Sequence, residues 1–162
     1  MVVHSKQIDL TQLDLAYLGL FLGQRVNALV VDRLKRAGFR NVRESHGYVV
    51  QHLIEKERSI TELAKRMRVT QQAASKIVSE MVKLRILDAK PAEDRRAKVI
   101  CISKRGWASV RLSRRTRMQI DRRLVKAVGG EEYRRAKACL TECLEILGGV
   151  KTIESRRVRE PQ

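Results

Sequence analysis

Gln72, Lys76, Ser79 and Lys83 stand four, three and four residues apart. On a helix that spacing places them along one narrow side. Ser75 lies at the edge of the line, and Gln71 lies further round in the first turn. Two glutamines, two lysines and two serines, with no acid among them, form a surface suited to recognition. A glutamine can bond an adenine edge through two hydrogen bonds, a lysine can reach guanine, and nothing in the set repels a phosphate. A solvated helix face can have the same composition, so the stripe alone leaves both readings open.

A second knot of charge lies in PAEDRRAKVICIS, Pro91 to Ser103. Glu93 and Asp94 precede Arg95, Arg96 and Lys98, and a short apolar run follows. On a loop between two strands, arginines project from a fixed base. They can then enter the narrow minor groove of a duplex, whose negative potential attracts them. A carboxylate two residues before an arginine can hold its guanidinium in one orientation. A surface turn with solvated charges is the plain alternative.

Other chemistry is poorly supplied. His4, His46 and His52 have no cysteine or carboxylate placed around them at ligand spacing. Cys101, Cys139 and Cys143 fit no zinc pattern, and three cysteines leave one unpaired in any disulfide scheme, which favours a reducing cytoplasm. Cys139 and Cys143, four apart, share a helix face with Leu140, Leu144 and Leu147 nearby. They are expected as core thiols, with half a metal site or a redox pair as the alternative. No glycine-rich phosphate loop and no nucleophile–base set can be drawn. Neither a catalytic residue, a metal nor a cofactor is therefore expected.

Composition points the same way. Thirty-five Lys and Arg face 18 acids, a net charge of +17. Such self-repulsion calls for an anionic partner, with nucleic acid the first candidate and an anionic membrane surface the second. The apolar stretch Leu15–Gly23 is too short to span a bilayer, so no membrane partner is expected. The 162 residues fit one domain, and 4% aromatics with two prolines favour a mainly helical chain.

The elements that must position these groups follow from periodicity and caps. A first helix is expected from about Thr11 to Ala37, with an apolar stripe too wide for one small domain to cover. A second runs from about Glu44 to Lys56. Ser59 and Glu62 form a capping box that starts a short helix ending near Arg68. Thr70 caps the helix that carries the polar stripe. Leu87–Lys90 and Lys98–Ile102 read as two strands joined by the loop Pro91–Ala97. Ser103 caps a long helix to about Val128, Gly129–Gly130 breaks it, and a last helix reaches Leu147. The basic tail beyond Gly148 is expected to fray.

Two helices, a tight turn and a basic hairpin make a winged helix-turn-helix. Here the sequence resembles the MarR family of bacterial regulators over Leu15–Leu147. The resemblance is carried by ITELAKRMRVTQQAASKIVSEMVKL and EDRRAKVICISKRG, with Asp94, Arg96, Ile100, Ile102, Ser103 and Gly106 at the positions of the family's wing signature. It implies a mainly α fold with a small β-hairpin wing. Residues 40–102 would form the winged helix-turn-helix, and 1–39 and 103–150 a helical dimerisation layer built from the N- and C-terminal helices. All belong to one domain spanning 1–162, with 151–162 as a basic tail.

The implied function is that of a cytoplasmic, sequence-specific regulator of transcription, more often a repressor. A homodimer would read double-stranded DNA at a near-palindromic operator. Thr70 through Ser79 would face the major groove, Arg96 would enter the minor groove, and Asp94 would position it. Many relatives sense a small aromatic or phenolic compound at the junction of the two layers; here a small aromatic or anionic effector is the expectation, with Tyr17, Arg43, His46, Tyr48 and Trp107 as the candidates. Arg68 and Arg85 depart from the family, which favours small residues or glycine there; both would be strained at positive φ. The charge of +17 keeps a second function in view, a sequence-tolerant architectural protein that coats DNA. Arg111, Arg114, Arg115, Arg117, Arg122, Arg123 and Lys126 on the long helix add to that field.

Overall fold

A computed structural model describes residues 8–91 and 98–154. Helix α1 spans Leu15–Arg36, because Asp14 accepts a hydrogen bond from the Tyr17 amide at 2.9 Å and so fixes the first turn. The expected start at Thr11 is displaced: Leu10–Gln12 form a separate 3₁₀ turn closed by Asp9. Helix α2 spans Glu44–Leu53, stopping short of the expected Lys56.

The capping box at Ser59 forms as the sequence requires. The Glu62 amide donates to Ser59 Oγ at 3.1 Å, and Glu62 Oε2 accepts from the Ser59 amide at 2.9 Å. Helix α3, Ile60–Met67, follows. Arg68 turns the chain at φ +53°, in the left-handed region. Thr70 then caps helix α4, Gln71–Lys83, by accepting from the Ala73 amide at 3.1 Å. Arg85, also left-handed at φ +56°, closes α4.

The sheet has three strands where the sequence shows two. Strand β1 is Arg58–Ser59, β2 is Leu87–Pro91 and β3 is Lys98–Ile102, in the antiparallel order β1-β3-β2. A two-residue strand has no alternation to read. Its place is set by Arg58, whose buried Nε donates to the His52 carbonyl at 2.6 Å. Helix α5 spans Lys104–Val128 and α6 spans Gly130–Ile146. The expected frayed tail is instead a further helix, α7, Gly149–Glu154. Residues 155–162 of the proposed tail lie outside the described residues.

The core sits inside the winged helix. Leu63, Met81, Leu87 and Ile100 are fully enclosed, joined by Val49 and Leu53 of α2 and by Val30, Leu34 and Val110 of the long helices. The outer half of the molecule is built differently. Tyr17, Phe21 and Leu22 of α1, Val128 of α5 and Leu144 and Ile146 of α6 are exposed, and α6 has no buried residue. The reading of Cys139 and Cys143 as core thiols is corrected by this arrangement. Cys139 is exposed and Cys143 half-buried on the open layer, and only Cys101 is enclosed.

Candidate nucleic-acid interface

Helix α4 separates into two faces because its small and branched residues recur at helical spacing. Ala74, Val78 and Met81 are at most 2% exposed and seat the helix on the core. Gln71, Gln72, Lys76, Ser79 and Lys83 are exposed on its outer side, and Ser75 is half-buried. Thr70 is exposed too, with its oxygen engaged in the helix cap. The structure therefore brings together seven of the residues singled out in sequence. Lys98 is exposed at the start of β3, opposite Pro91 in the ladder. Asp94, Arg95 and Arg96 lie outside the described residues.

At the base of the hairpin, Lys90 Nζ lies 3.1 Å from Glu57 Oε1, so one wing cation is already neutralised. At its root, Ser103 Oγ donates to the Arg85 carbonyl at 2.7 Å and accepts from the Gly106 amide at 2.8 Å. The strand, the end of α4 and the start of α5 thus meet at one hydroxyl.

A cavity of about 240 Å³ opens where α1, α2 and α5 meet, and Asn27, Arg43, Glu44, His46, Gln51, Ser109, Ser113, Arg114 and Arg117 supply its polar wall. Of the five residues proposed for an effector, Arg43 and His46 line it. The other three do not. Tyr17 stacks on Phe21 on the outer part of α1, with ring centroids 6.0 Å apart. The Tyr48 hydroxyl donates to Glu44 at 3.2 Å, and Trp107 packs against the core.

His46 is 2% exposed. Its Nδ1 accepts from the Arg43 amide at 3.2 Å, which leaves the proton of the neutral ring on Nε2. Nε2 has no hydrogen-bond partner and lies 3.6 Å from Glu80 Oε1. Burial pushes the His46 pKa below its ordinary value; the Glu80 carboxylate opposes the shift and the Arg43 guanidinium adds to it. Glu80 also accepts from Arg43 Nη2 through both of its oxygens. The sequence places Glu80 merely off the polar stripe. Its partnership with Arg43, 37 residues earlier, has no local signal.

The model of the MarR family matches residues 42–97, from the end of the loop before α2 through the wing. That match covers α2, the capped helix pair and the first strand of the hairpin, and it ends just before β3. The segment is a MarR-family winged helix. Three solved structures share the fold at low identity. A complex of Staphylococcus aureus MepR with DNA has 18% identity and a TM-score of 0.66 over 82% of this chain and 98% of that one. YusO of Bacillus subtilis has 17% identity and a TM-score of 0.65 over 80% and 92%. MepR bound to ethidium bromide has 17% identity and a TM-score of 0.59 over 85% and 99%. Among curated proteins, none matches the chain in sequence. Around the MarR-type core, no helix of the described residues is long and apolar enough to cross a membrane.

Proposed function

We propose that the protein is a homodimeric DNA-binding regulator of transcription that reads a near-palindromic operator and acts as a repressor. The observation that carries this reading is the outer face of α4. It is exposed, free of unpaired acid, capped at its start and seated on a rigid core. The major groove admits such a helix. MepR, which shares the fold, is seen bound to DNA. In this reading Gln72 and Lys76 meet base edges and phosphates, and the wing carries Arg96 into the minor groove with Asp94 holding it.

The homodimer rests on the outer layer. A row of exposed leucines and valines on α1, α5, α6 and α7 is more apolar surface than a soluble single chain keeps open. A second copy covers it and sets two recognition helices at a fixed spacing. The cavity beside α2 takes a small aromatic anion: Arg43 is already paired with Glu80, but Arg114 and Arg117 stand in the wall against a single lining acid, Glu44. MepR holds a cationic aromatic, ethidium. The arginine-rich wall here favours the opposite charge.

Selection of bound sequences from a random duplex pool, followed by footprinting at rising salt, tests the function. A discrete two-fold symmetric footprint supports it. Uniform protection supports the second reading, a sequence-tolerant coat, which the charge of +17 favours. In both cases affinity falls steeply with salt, through release of phosphate counterions.

A further inference from the structure

Helix α4 carries one acid, Glu80, in a stretch with lysines four residues before and three residues after it. On an isolated helix those are the spacings at which opposite charges pair. Glu80 does neither. Its ion-pair partner is Arg43 at the start of α2, whose Nη2 meets both carboxylate oxygens, and the neutral ring of His46 lies beside it with Nε2 at 3.6 Å.

This choice of partner has two physical effects. It ties the exposed flank of α4 to α2 by a charge-assisted contact between elements that the sequence separates by 37 residues. The buried residues Ala74, Val78 and Met81 seat the helix on the core along one side. A pair off to one side opposes rotation. The second effect is electrostatic. The carboxylate beside the recognition stripe is neutralised from behind, and Lys76 and Lys83 keep their charge for a partner.

From these contacts we infer that Glu80 is a positioning residue. Through Arg43 and His46 it fixes the rotational setting of the recognition helix, and so governs sequence discrimination without touching DNA. The inference rests on the DNA-binding reading and specifies what sets its selectivity. Loss of the clamp lets α4 turn, so base contacts weaken while phosphate contacts persist.

The experiment compares the full chain with Glu80→Gln, Arg43→Gln and the exchanged pair Arg43→Glu/Glu80→Arg. Affinity for the selected duplex is measured against a scrambled duplex of equal length. The ratio of the two falls about tenfold in each single variant and is largely regained in the exchanged pair. Affinity for the scrambled duplex holds or rises in Glu80→Gln, which carries one more net positive charge. A loss of folding alone would lower both affinities together. Amide exchange across residues 71–83 of the free protein is the independent arm: it quickens several-fold in Glu80→Gln and slows again in the exchanged pair. Unchanged ratios together with unchanged exchange would overturn the inference. If selection returns no preferred sequence, the regulator reading fails and the exchange arm still decides whether Glu80 holds α4.

Discussion

A β-carbon built on Gly106 would lie 2.1 Å from the carbonyl oxygen of Ile86 and 2.7 Å from the Ile102 side chain. The first turn of α5 is thereby pressed against the backbone that leaves α4, at the spot where Ser103 binds both. Neither backbone segment can retreat without opening the core at Ile86 and Leu87. Gly106→Ala should cost about 3 kcal/mol or more by overpacking. Gly47, inside α2, has nothing within 4 Å of its added carbon. Gly47→Ala should instead gain about 0.5–1 kcal/mol through helix propensity. Thermal unfolding of the two variants separates these signs, and equal behaviour would contradict the close approach.

The recognition stripe predicts two kinds of binding defect. Gln72→Ala should relax preference at one base position, at about 1–3 kcal/mol for the lost base pair contact. Lys76→Ala should weaken binding to every duplex alike and reduce the slope of log affinity against log salt by about 1. Arg96→Ala should lose about 1–3 kcal/mol if the wing enters the groove. Titrations against an ordered set of duplexes at three salt concentrations distinguish the three.

His46 makes stability depend on pH. Its folded pKa lies below the ordinary value of 6.5 because burial disfavours the imidazolium. Between those two values the unfolded chain binds more protons, so stability rises with pH. The contribution is complete above about 6.5 and is lost as pH falls through the folded value. Facing the ring are Glu80, whose carboxylate favours the imidazolium, and Arg43, whose guanidinium disfavours it. Denaturant midpoints measured from pH 7.5 down to 5 should fall in the wild type and flatten in His46→Gln. The Glu62 carboxylate, held below its ordinary 4.5 chiefly by the Ser59 amide, adds a separate loss at lower pH.

The open apolar layer predicts assembly. Sedimentation should give a dimer at micromolar concentration. Leu144→Lys on α6 should shift it to the single chain with the winged helix intact by circular dichroism, since Leu144 touches none of the enclosed core. A monodisperse single chain in the wild type would leave the exposed layer unexplained.

For the cavity, benzoate is the simplest aromatic anion to try. It should raise the melting temperature and weaken binding to the selected duplex, and Arg114→Ala should blunt both effects while leaving the Arg43–Glu80 pair in place. Benzylamine, of the same shape and opposite charge, should do neither.

Much of the winged helix was legible because its boundaries are set by single side chains. Ser59, Thr70 and Ser103 announce their helices in sequence and accept the expected amide bonds in the structure. The two faces of α4 follow from spacing alone. The arginines at 68 and 85 adopt the left-handed backbone that their places in the turns demand. What stayed hidden depends on contacts between distant segments. Strand β1 exists only as a partner of Val99 and Ile100. Tyr17, Tyr48 and Trp107 are aromatic near the right elements, yet their helical phase points them away from the cavity. Glu80 looks like a stray acid until Arg43 is brought beside it. Cys139 and Cys143 lie beside apolar neighbours, but among the described residues one stays exposed and the other only half-buried.

Ser103 has one more consequence. A single hydroxyl joins the last strand of the hairpin to the first turn of a 25-residue helix and to the carbonyl that follows the recognition helix. The setting of the long helix and the root of the hairpin are therefore not independent, and Ser103 is the joint that couples them.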